Sequence, residues 1–164
     1  MKYVLIGKIV NTHGIKGEIR ILSDFKYKDR VFVPDMKIYI GKDKKEEVIK
    51  TYRHHKIFEM ITMNNYNDIN EVLKYKGDYV FINKEDLILK ENEYLNEDLI
   101  NLEVYIDDKY IGTVKKIEKY SKNELFRVKN NEKDYLIPYN FDIILNVDLK
   151  KKRIDVKNIP GLID

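Results

Sequence analysis

The chain has 164 residues, of which 43% are hydrophobic and 36% charged, which is enough apolar material for one large core or two small ones. It contains no cysteine, so disulfides, thiolate metal sites and cysteine nucleophiles are excluded. No apolar run approaches the ~20 residues that cross a bilayer, and the first residues have the pattern of a strand rather than a signal peptide. We therefore expect a cytoplasmic protein with no membrane partner.

The net charge of +3 is unevenly distributed along the chain. Residues 1–84 contain 17 Lys and Arg against 11 Asp and Glu, whereas residues 85–164 contain 14 against 17. The first half is therefore the better candidate for RNA binding, because neutralised phosphates supply most sequence-independent affinity. An excess of this size also occurs in proteins that bind no nucleic acid, so charge alone leaves the function open.

The first predicted elements are two strands joined by a polar loop. The run from Val4 to Val10 is apolar, and Glu18 to Leu22 alternates so that Ile19 and Ile21 point inward. The loop between them must reverse the chain, and Gly14 and Gly17 can adopt the positive φ that such a loop requires. By spacing alone these glycines are equally consistent with an ordinary turn.

The remainder of the first half predicts a small β-barrel with one inserted helix. Asp68 is a suitable N-cap for that helix, and Gly77 is placed to end it. The predicted strands lie at Met36–Ile40, Glu47–Arg53, Ile57–Met63 and Tyr79–Ile82. We assign residues 1–84 to this domain.

Residues 85–92 are charged and without a clear period, and they predict a linker. Residues 93–164 then predict a second all-β domain, with Pro138 marking an edge strand because proline cannot donate to a ladder. The predicted strands cover Leu102–Ile106, Tyr110–Ile117, Glu124–Lys129, Asp134–Pro138, Ile143–Leu149 and Arg153–Ile159.

Motifs for catalysis, metals or cofactors are not found in the sequence. It has neither a Walker loop nor a dinucleotide fingerprint. The adjacent His54 and His55 point to opposite faces of a strand, which disfavours a shared metal ion. An acid–base pair of His13 and Glu18 is the remaining enzymatic alternative, and it lacks a nucleophile at a recognisable spacing. We expect no cofactor, no metal and no catalytic residue.

The loop from His13 to Glu18 resembles the H-G-x-K/R-G-E loop of the ribosome maturation factor RimM family. Further landmarks of that family follow in order along the whole chain: Arg53, His54 and Lys56; the helix before Gly77; Glu93, Tyr94, Asp98, Leu99 and Ile100; Ile111, Gly112 and Val114; Leu136, Ile137 and Pro138; and Gly161, Leu162 and Ile163. The resemblance implies an all-β fold with an N-terminal barrel similar to those of translation factors, carrying one short helix, and a C-terminal PRC-type barrel.

The resemblance also implies a non-enzymatic factor that binds the head of the immature small ribosomal subunit and assists its assembly and rRNA processing. Implied partners are rRNA and ribosomal protein nineteen of the small subunit, and we expect a monomer. A general RNA-binding protein with a translation-factor-like barrel is the alternative. The candidate RNA-contact residues flank the matched motifs and are Lys16, Arg20, Arg53 and Lys56.

The candidate protein-partner residues lie just after the linker and are Tyr94, Leu95, Asp98 and Leu99. In the family two adjacent tyrosines at this place are associated with binding the subunit head. Here Leu95 stands where the second tyrosine is usual, and Asn101 stands where a glycine is usual. The resemblance therefore implies a partner-binding role more directly for Tyr94 than for Leu95.

Overall fold

The computed structural model describes residues 1–163. The chain forms two compact units, of which the first covers Met1–Ile88 and the second begins at Leu89. No helix among the described residues is long and apolar enough to span a membrane.

The first unit is a closed six-stranded barrel with strand order β1-β2-β5-β4-β3-β6, in which all neighbours are antiparallel. The strands are β1 (Tyr3–His13), β2 (Glu18–Leu22), β3 (Lys37–Ile40), β4 (Lys45–His55), β5 (Phe58–Met63) and β6 (Tyr79–Asn83). Alternation along each strand fills the interior with branched side chains, since Ile9, Ile19, Ile21, Ile49 and Ile61 are all 0% exposed. The inward direction predicted for Ile19 and Ile21 is thus confirmed.

The predicted helix is present as α2 (Ile69–Val72), which continues into a 3-10 turn at Leu73–Tyr75. The Asp68 side chain accepts a hydrogen bond from the backbone N–H of Asn70 at 2.7 Å and so caps the helix. Gly77 has φ +90°, which allows the chain to turn from the helix into β6. A second short helix, α1 (Lys28–Val31), follows β2 and has no periodic signal in the sequence.

The second unit is a six-stranded sheet with order β10-β9-β8-β7-β12-β11. Its elements are α3 (Asn96–Leu99), β7 (Glu103–Ile106), β8 (Lys109–Tyr120), β9 (Asn123–Lys129), β10 (Asp134–Pro138), β11 (Ile144–Asp148) and β12 (Arg153–Val156). All neighbours are antiparallel except β7 and β12, which are parallel. Pro138 lies on β10 at the edge of this sheet, as its missing N–H predicts.

One face of that sheet carries the core of the second unit. Its fully buried members include Leu99, Val104, Val114, Val128 and Ile154, each 0% exposed. Phe126 stacks on Tyr139 with ring centroids 4.5 Å apart. The predicted all-β class with an N-terminal barrel, a short helix and a C-terminal barrel domain is confirmed.

Candidate functional site

The loop between β1 and β2 is held in place by the start of α2. Gly14 has φ +68° and Gly17 has φ +95°, so both glycines adopt the backbone conformation that the sequence predicts. A Cβ atom on Gly17 would lie 3.3 Å from the backbone N of Asp68, whereas one on Gly14 would have nothing within 4 Å. The backbone N–H of Ile69 also donates to the carbonyl of Ile15 at 3.0 Å. Gly17 therefore permits a close packing that Gly14 does not require.

A buried carboxylate anchors the segment around α2 to the barrel. Glu47 of β4 is 8% exposed, and the hydroxyls of Tyr66 and Tyr75 both donate to its Oε2. Burial, and then the hydrogen bond to Glu47, raise the pKa of Tyr75. Lys74 lies over both rings, at 5.2 Å from the Tyr66 centroid and 5.1 Å from the Tyr75 centroid. Glu47 thus positions α2, which in turn supports the glycine loop.

The outer side of β1, β2, β4 and β5 carries a cluster of polar and aromatic side chains that we call the cationic face. Cross-strand pairing places these residues on one side, because His13 pairs with Glu18, His55 pairs with Phe58, and both Arg20 and Arg53 pair with Met60. The members of the cationic face are His13, Glu18, Arg20, Arg53, His55 and Phe58.

Arg20 makes no ion pair on this face. Its Nη2 donates to Nδ1 of His13 at 2.6 Å, and its guanidinium lies 5.5 Å from the centroid of Phe58. Its Nε is buried and has no hydrogen-bond partner within residues 1–163. Because a guanidinium can only donate, the Nδ1 atom of His13 is the acceptor of this hydrogen bond, and its Nε2 atom is left to carry the ring proton.

Arg53 is instead paired with Glu18. Its Nε and Nη2 donate to the two carboxylate oxygens at 2.9 and 2.7 Å, a bidentate geometry. This pairing holds the pKa of Glu18 below its usual value, while burial opposes the shift. The Arg53 side chain remains 49% exposed, so a ligand can still reach its guanidinium.

The two adjacent histidines point to opposite faces, as the sequence predicts. The ring of His55 lies 6.0 Å from that of His13 on the cationic face. The Nδ1 atom of His54 lies 2.9 Å from Oε1 of Glu59, which is 2% exposed and also accepts from the hydroxyl of Tyr52 at 2.7 Å. Burial and the bond to Glu59 raise the pKa of Tyr52 to about 12. Desolvation, followed by the nearby Arg53, lowers the pKa of His55.

Of the four predicted RNA-contact residues, Arg20 and Arg53 lie on the cationic face and the two lysines lie in loops. Lys16 is exposed between Gly14 and Gly17, and Lys56 is exposed in the β4–β5 turn with φ +56°. Lys56 is near enough to His55 to contribute to lowering the pKa of that histidine. The sequence does not assign His55 to this face. The available signal is its position between Arg53 and Lys56, two of the predicted RNA-contact residues.

The predicted protein-partner segment is partly interior. Leu99 is 0% exposed in the core of the second unit and Leu95 is 5% exposed, so neither side chain is available to a partner in this conformation. Tyr94 packs against the same core with part of its surface exposed, and Asp98 is half-buried. This burial corrects the sequence-based grouping of four contact residues, and Tyr94 and Asp98 remain as candidates. Asn101 has φ +71°, a conformation that asparagine tolerates in place of the usual glycine.

The acid–base alternative finds little support in this geometry. Nδ1 of His13 is occupied by Arg20, and the carboxylate of Glu18 is occupied by Arg53. No group of three or more His, Cys, Asp or Glu residues able to hold a metal ion occurs in the part of the chain that the structure describes. The fold and the surface thus define an all-β protein of two compact units, the first of which carries the cationic face.

Comparison with protein families identifies both domains. Residues 4–87 match the RimM N-terminal domain, and residues 96–162 match the RimM PRC barrel domain. The chain belongs to the ribosome maturation factor RimM family.

Curated relatives that match almost the whole chain agree with this assignment. Ribosome maturation factor RimM of Staphylococcus haemolyticus is 39% identical over 98% of this chain and 99% of its own length, and RimM of Finegoldia magna is 36% identical over 99% and 100%. The crystal structure of a RimM protein from Pseudomonas aeruginosa matches with a TM-score of 0.45 at 20% identity, covering 96% of this chain and 98% of that one. The N-terminal domain of RimM from Thermus thermophilus matches with a TM-score of 0.47 at 16% identity, covering 54% of this chain and 98% of that one.

Proposed function

We propose that this protein is a non-enzymatic maturation factor that binds the head of the immature small ribosomal subunit and assists its assembly and rRNA processing. Family membership supports the ribosomal target, since full-length relatives carry the name ribosome maturation factor. Such a factor needs no bond chemistry. It needs only to bind an assembly intermediate more tightly than the mature state, because that difference in affinity shifts the population.

The observation that carries the RNA-binding part of the proposal is the cationic face. Arg20 is bound to the imidazole of His13 rather than to a carboxylate, and Arg53 is half-exposed beside Glu18, the carboxylate of the face. Lys16 and Lys56 extend the positive charge into the adjoining loops. Phosphates of rRNA are the ligands that such an excess of cations attracts.

The protein partner that we propose is ribosomal protein nineteen of the small subunit, bound through Tyr94 and Asp98. The second half of the chain has more acidic than basic residues, 17 against 14, which suits a basic ribosomal protein. Tyr94 offers an aromatic ring whose position is fixed by the core behind it. We further propose that residues 85–92 act as a linker between domains 1–84 and 93–164, and that the protein acts as a cytoplasmic monomer.

The decisive experiment is co-sedimentation with purified immature and mature small subunits at a fixed salt concentration. We expect the protein to sediment with the immature particles and to remain unbound with the mature ones. Equal binding to both particles and to unrelated RNA, without affinity for the isolated ribosomal protein, would favour the general RNA-binding alternative. Turnover of an RNA substrate that is lost in His13→Gln would contradict the non-enzymatic assignment.

A further inference from the structure

We propose that His13 and His55 form a phosphate-binding site on the cationic face, and that this site binds its ligand more tightly as the pH falls. The ligand class is a phosphate group of an RNA backbone, so the inference rests on the proposed function and specifies how its RNA-binding face works. The two rings have centroids 6.0 Å apart and planes inclined at 56°. Strands β1 and β4 bring them together although they are distant in sequence.

The hydrogen bonds around His13 leave it one donor for a ligand. Its Nδ1 accepts from Arg20 at 2.6 Å, so the ring proton must be on Nε2. An N–H that is not used within the chain can donate to a phosphate oxygen. The guanidinium of Arg20 lies 5.5 Å from the centroid of the Phe58 ring, and this contact fixes its position. The hydrogen bond from Arg20 then fixes the orientation of the His13 imidazole.

His55 supplies the titratable partner. Its ring contacts His13, and no hydrogen bond joins it to another residue in the range 1–163. The charged or titratable groups that act on it are Arg53 and Lys56 of its own segment, His13 of β1, and Arg20 and Glu18 of β2. Together with Lys16 of the adjoining loop, Arg20, Arg53 and Lys56 make four positively charged side chains. They outnumber the one carboxylate among these groups, which is that of Glu18.

The carboxylates of the neighbouring α2 segment are engaged locally. Asp68 accepts from the backbone of Asn70 at 2.7 Å, and Glu71 accepts from the backbone of Asn67 at 2.9 Å. Glu18 is held by the two hydrogen bonds from Arg53. Among the members of the cationic face, Glu18 is the carboxylate that an entering anion would meet, and its two oxygens are already held by Arg53.

The sign of the pH effect follows from the charges. In the free protein the surrounding cations and desolvation disfavour protonation of His55, whose pKa lies below the ordinary value of 6.5. A bound phosphate adds negative charge beside the ring and makes protonation easier. Binding is therefore accompanied by proton uptake, and affinity rises as the pH falls from the raised pKa of His55 in the complex toward its lower pKa in the free protein.

The test follows the histidine ring protons by NMR during pH titration, with and without a short single-stranded oligoribonucleotide and, in a separate arm, with inorganic phosphate. On addition of the oligoribonucleotide we expect the titration of His55 to move to higher pH, because a phosphate beside the ring favours its protonated form. A shift with the oligoribonucleotide alone indicates a site for RNA, and a shift with both ligands indicates a site for phosphate groups in general. An unchanged titration of His55 at saturating oligoribonucleotide would overturn the proposal.

Variants provide a second measurement. For the wild type we expect RNA affinity at constant ionic strength to rise about threefold to tenfold between about pH 7.5 and about pH 5.5, because each proton taken up contributes at most tenfold per pH unit. The doubly substituted His13→Gln, His55→Gln protein should lose this rise, whereas His54→Gln should keep it. An equal rise in all three proteins would contradict the site.

The two proposals fail in different ways. Co-sedimentation with immature subunits together with unshifted histidine titrations would overturn the phosphate site and leave the proposed function standing. Shifted titrations without co-sedimentation would overturn the proposed function and leave the phosphate site standing.

Discussion

In the first unit Arg20 binds an imidazole and lies over an aromatic ring, whereas in the second unit Arg153 lies over a ring and also binds two carboxylates. The guanidinium of Arg153 lies 3.9 Å from the centroid of Tyr105, and its nitrogens donate to Asp108 at 2.7 Å and Asp155 at 2.9 Å. The carboxylates raise the pKa of Arg153, the first of them being Asp155. The charge of Arg153 is thus compensated by two carboxylates, whereas that of Arg20 is compensated by none among the described residues.

Arg127 of the second unit shows the same neutralisation. It donates to Glu118 at 2.7 Å through Nε and to Asp134 at 3.1 Å through Nη1. A phosphate would have to compete with two carboxylates for either arginine of this unit. On the cationic face it would compete with Glu18 alone. Among these three arginines, Arg20 is the one that pairs with no carboxylate of the described residues, and this difference supports our proposal that the cationic face binds RNA.

The largest expected effect comes from removing the cations of the first unit. Replacing Lys16, Arg20, Arg53 and Lys56 together by alanine should weaken binding to rRNA and flatten its dependence on salt, by roughly 0.7 to 0.9 units of slope for each lost phosphate contact. The measurement is RNA affinity across a series of salt concentrations. The matched control replaces Arg127 and Arg153 by alanine and should leave the slope unchanged. Equal slopes in both variants would contradict the comparison between the units.

The next effect concerns the acidic unit and its proposed protein partner. Tyr94→Ala should weaken binding to isolated ribosomal protein nineteen by about 2 kcal/mol, or roughly thirtyfold, as expected for an aromatic anchor. Because Tyr94 also packs against the core, the melting temperature must be measured with the affinity. Asp98→Lys should weaken the same complex with a smaller change in stability, and Glu132→Lys in the exposed turn between β9 and β10 is its control. Lost stability with unchanged affinity for both site variants would leave Tyr94 and Asp98 with a structural role only.

The glycine loop that supports the cationic face provides a third comparison. Gly17→Ala should destabilise the protein by about 2 kcal/mol, because φ +95° is unfavourable for alanine and its Cβ would crowd the backbone of Asp68. Gly14→Ala should cost about 1 kcal/mol, since only its φ of +68° is unfavourable there. Chemical denaturation measures both. Gly14→Asn should approach wild-type stability, and an equal loss at Gly14 and Gly17 would show that contact with α2 contributes nothing.

The sequence predicts the strands of both units well, because alternation and glycine positions are local signals. It does not predict α1 or α3, since four residues are too few to show a helical period. It also does not reveal the buried Glu47, because the tyrosine partners of that carboxylate lie 19 and 28 residues away along the chain. In the sequence, a buried acidic residue cannot be distinguished from an exposed one, because its hydrogen-bond donors are brought close only by the fold.

The sequence predicts only part of the candidate site, because contacts between residues that are distant along the chain leave no local signal. The local sequence identifies the motif residues from His13 to Glu18 and Arg53, and the structure places His13, Glu18 and Arg53 on one face. The proximity of His55 to His13 has no local signal, because it depends on the pairing of distant strands. Conversely, Leu95 and Leu99 follow Tyr94 in the sequence and suggest a protein-binding surface together with it. In the structure both leucine side chains are buried in the second unit. Burial is a property of the fold that residue type alone does not settle.

The smallest expected effect tests the one ion pair on the cationic face. In the folded protein the pKa of Glu18 is lowered by Arg53, so this carboxylate stabilises the fold at pH values above its unfolded value of about 4.5 and stops doing so as the pH falls through its folded value. Arg53→Gln should return the pKa of Glu18 toward 4.5 and slightly reduce stability at neutral pH. The difference from the wild type should vanish in acid. The carboxyl titration of Glu18, followed by NMR, measures this shift directly.

Arg127→Gln is the corresponding change in the second unit. It should likewise raise the lowered pKa of Glu118, although Lys116 still contributes to lowering it there. Because Arg53 also belongs to the proposed RNA-binding face, only Arg53→Gln should reduce RNA affinity at neutral pH as well. A reduction of RNA affinity by both variants would mean that the neutralised arginine of the second unit is as accessible to phosphate as the half-exposed arginine of the first. An unchanged Glu18 titration in Arg53→Gln would show that the bidentate pair does not hold in solution.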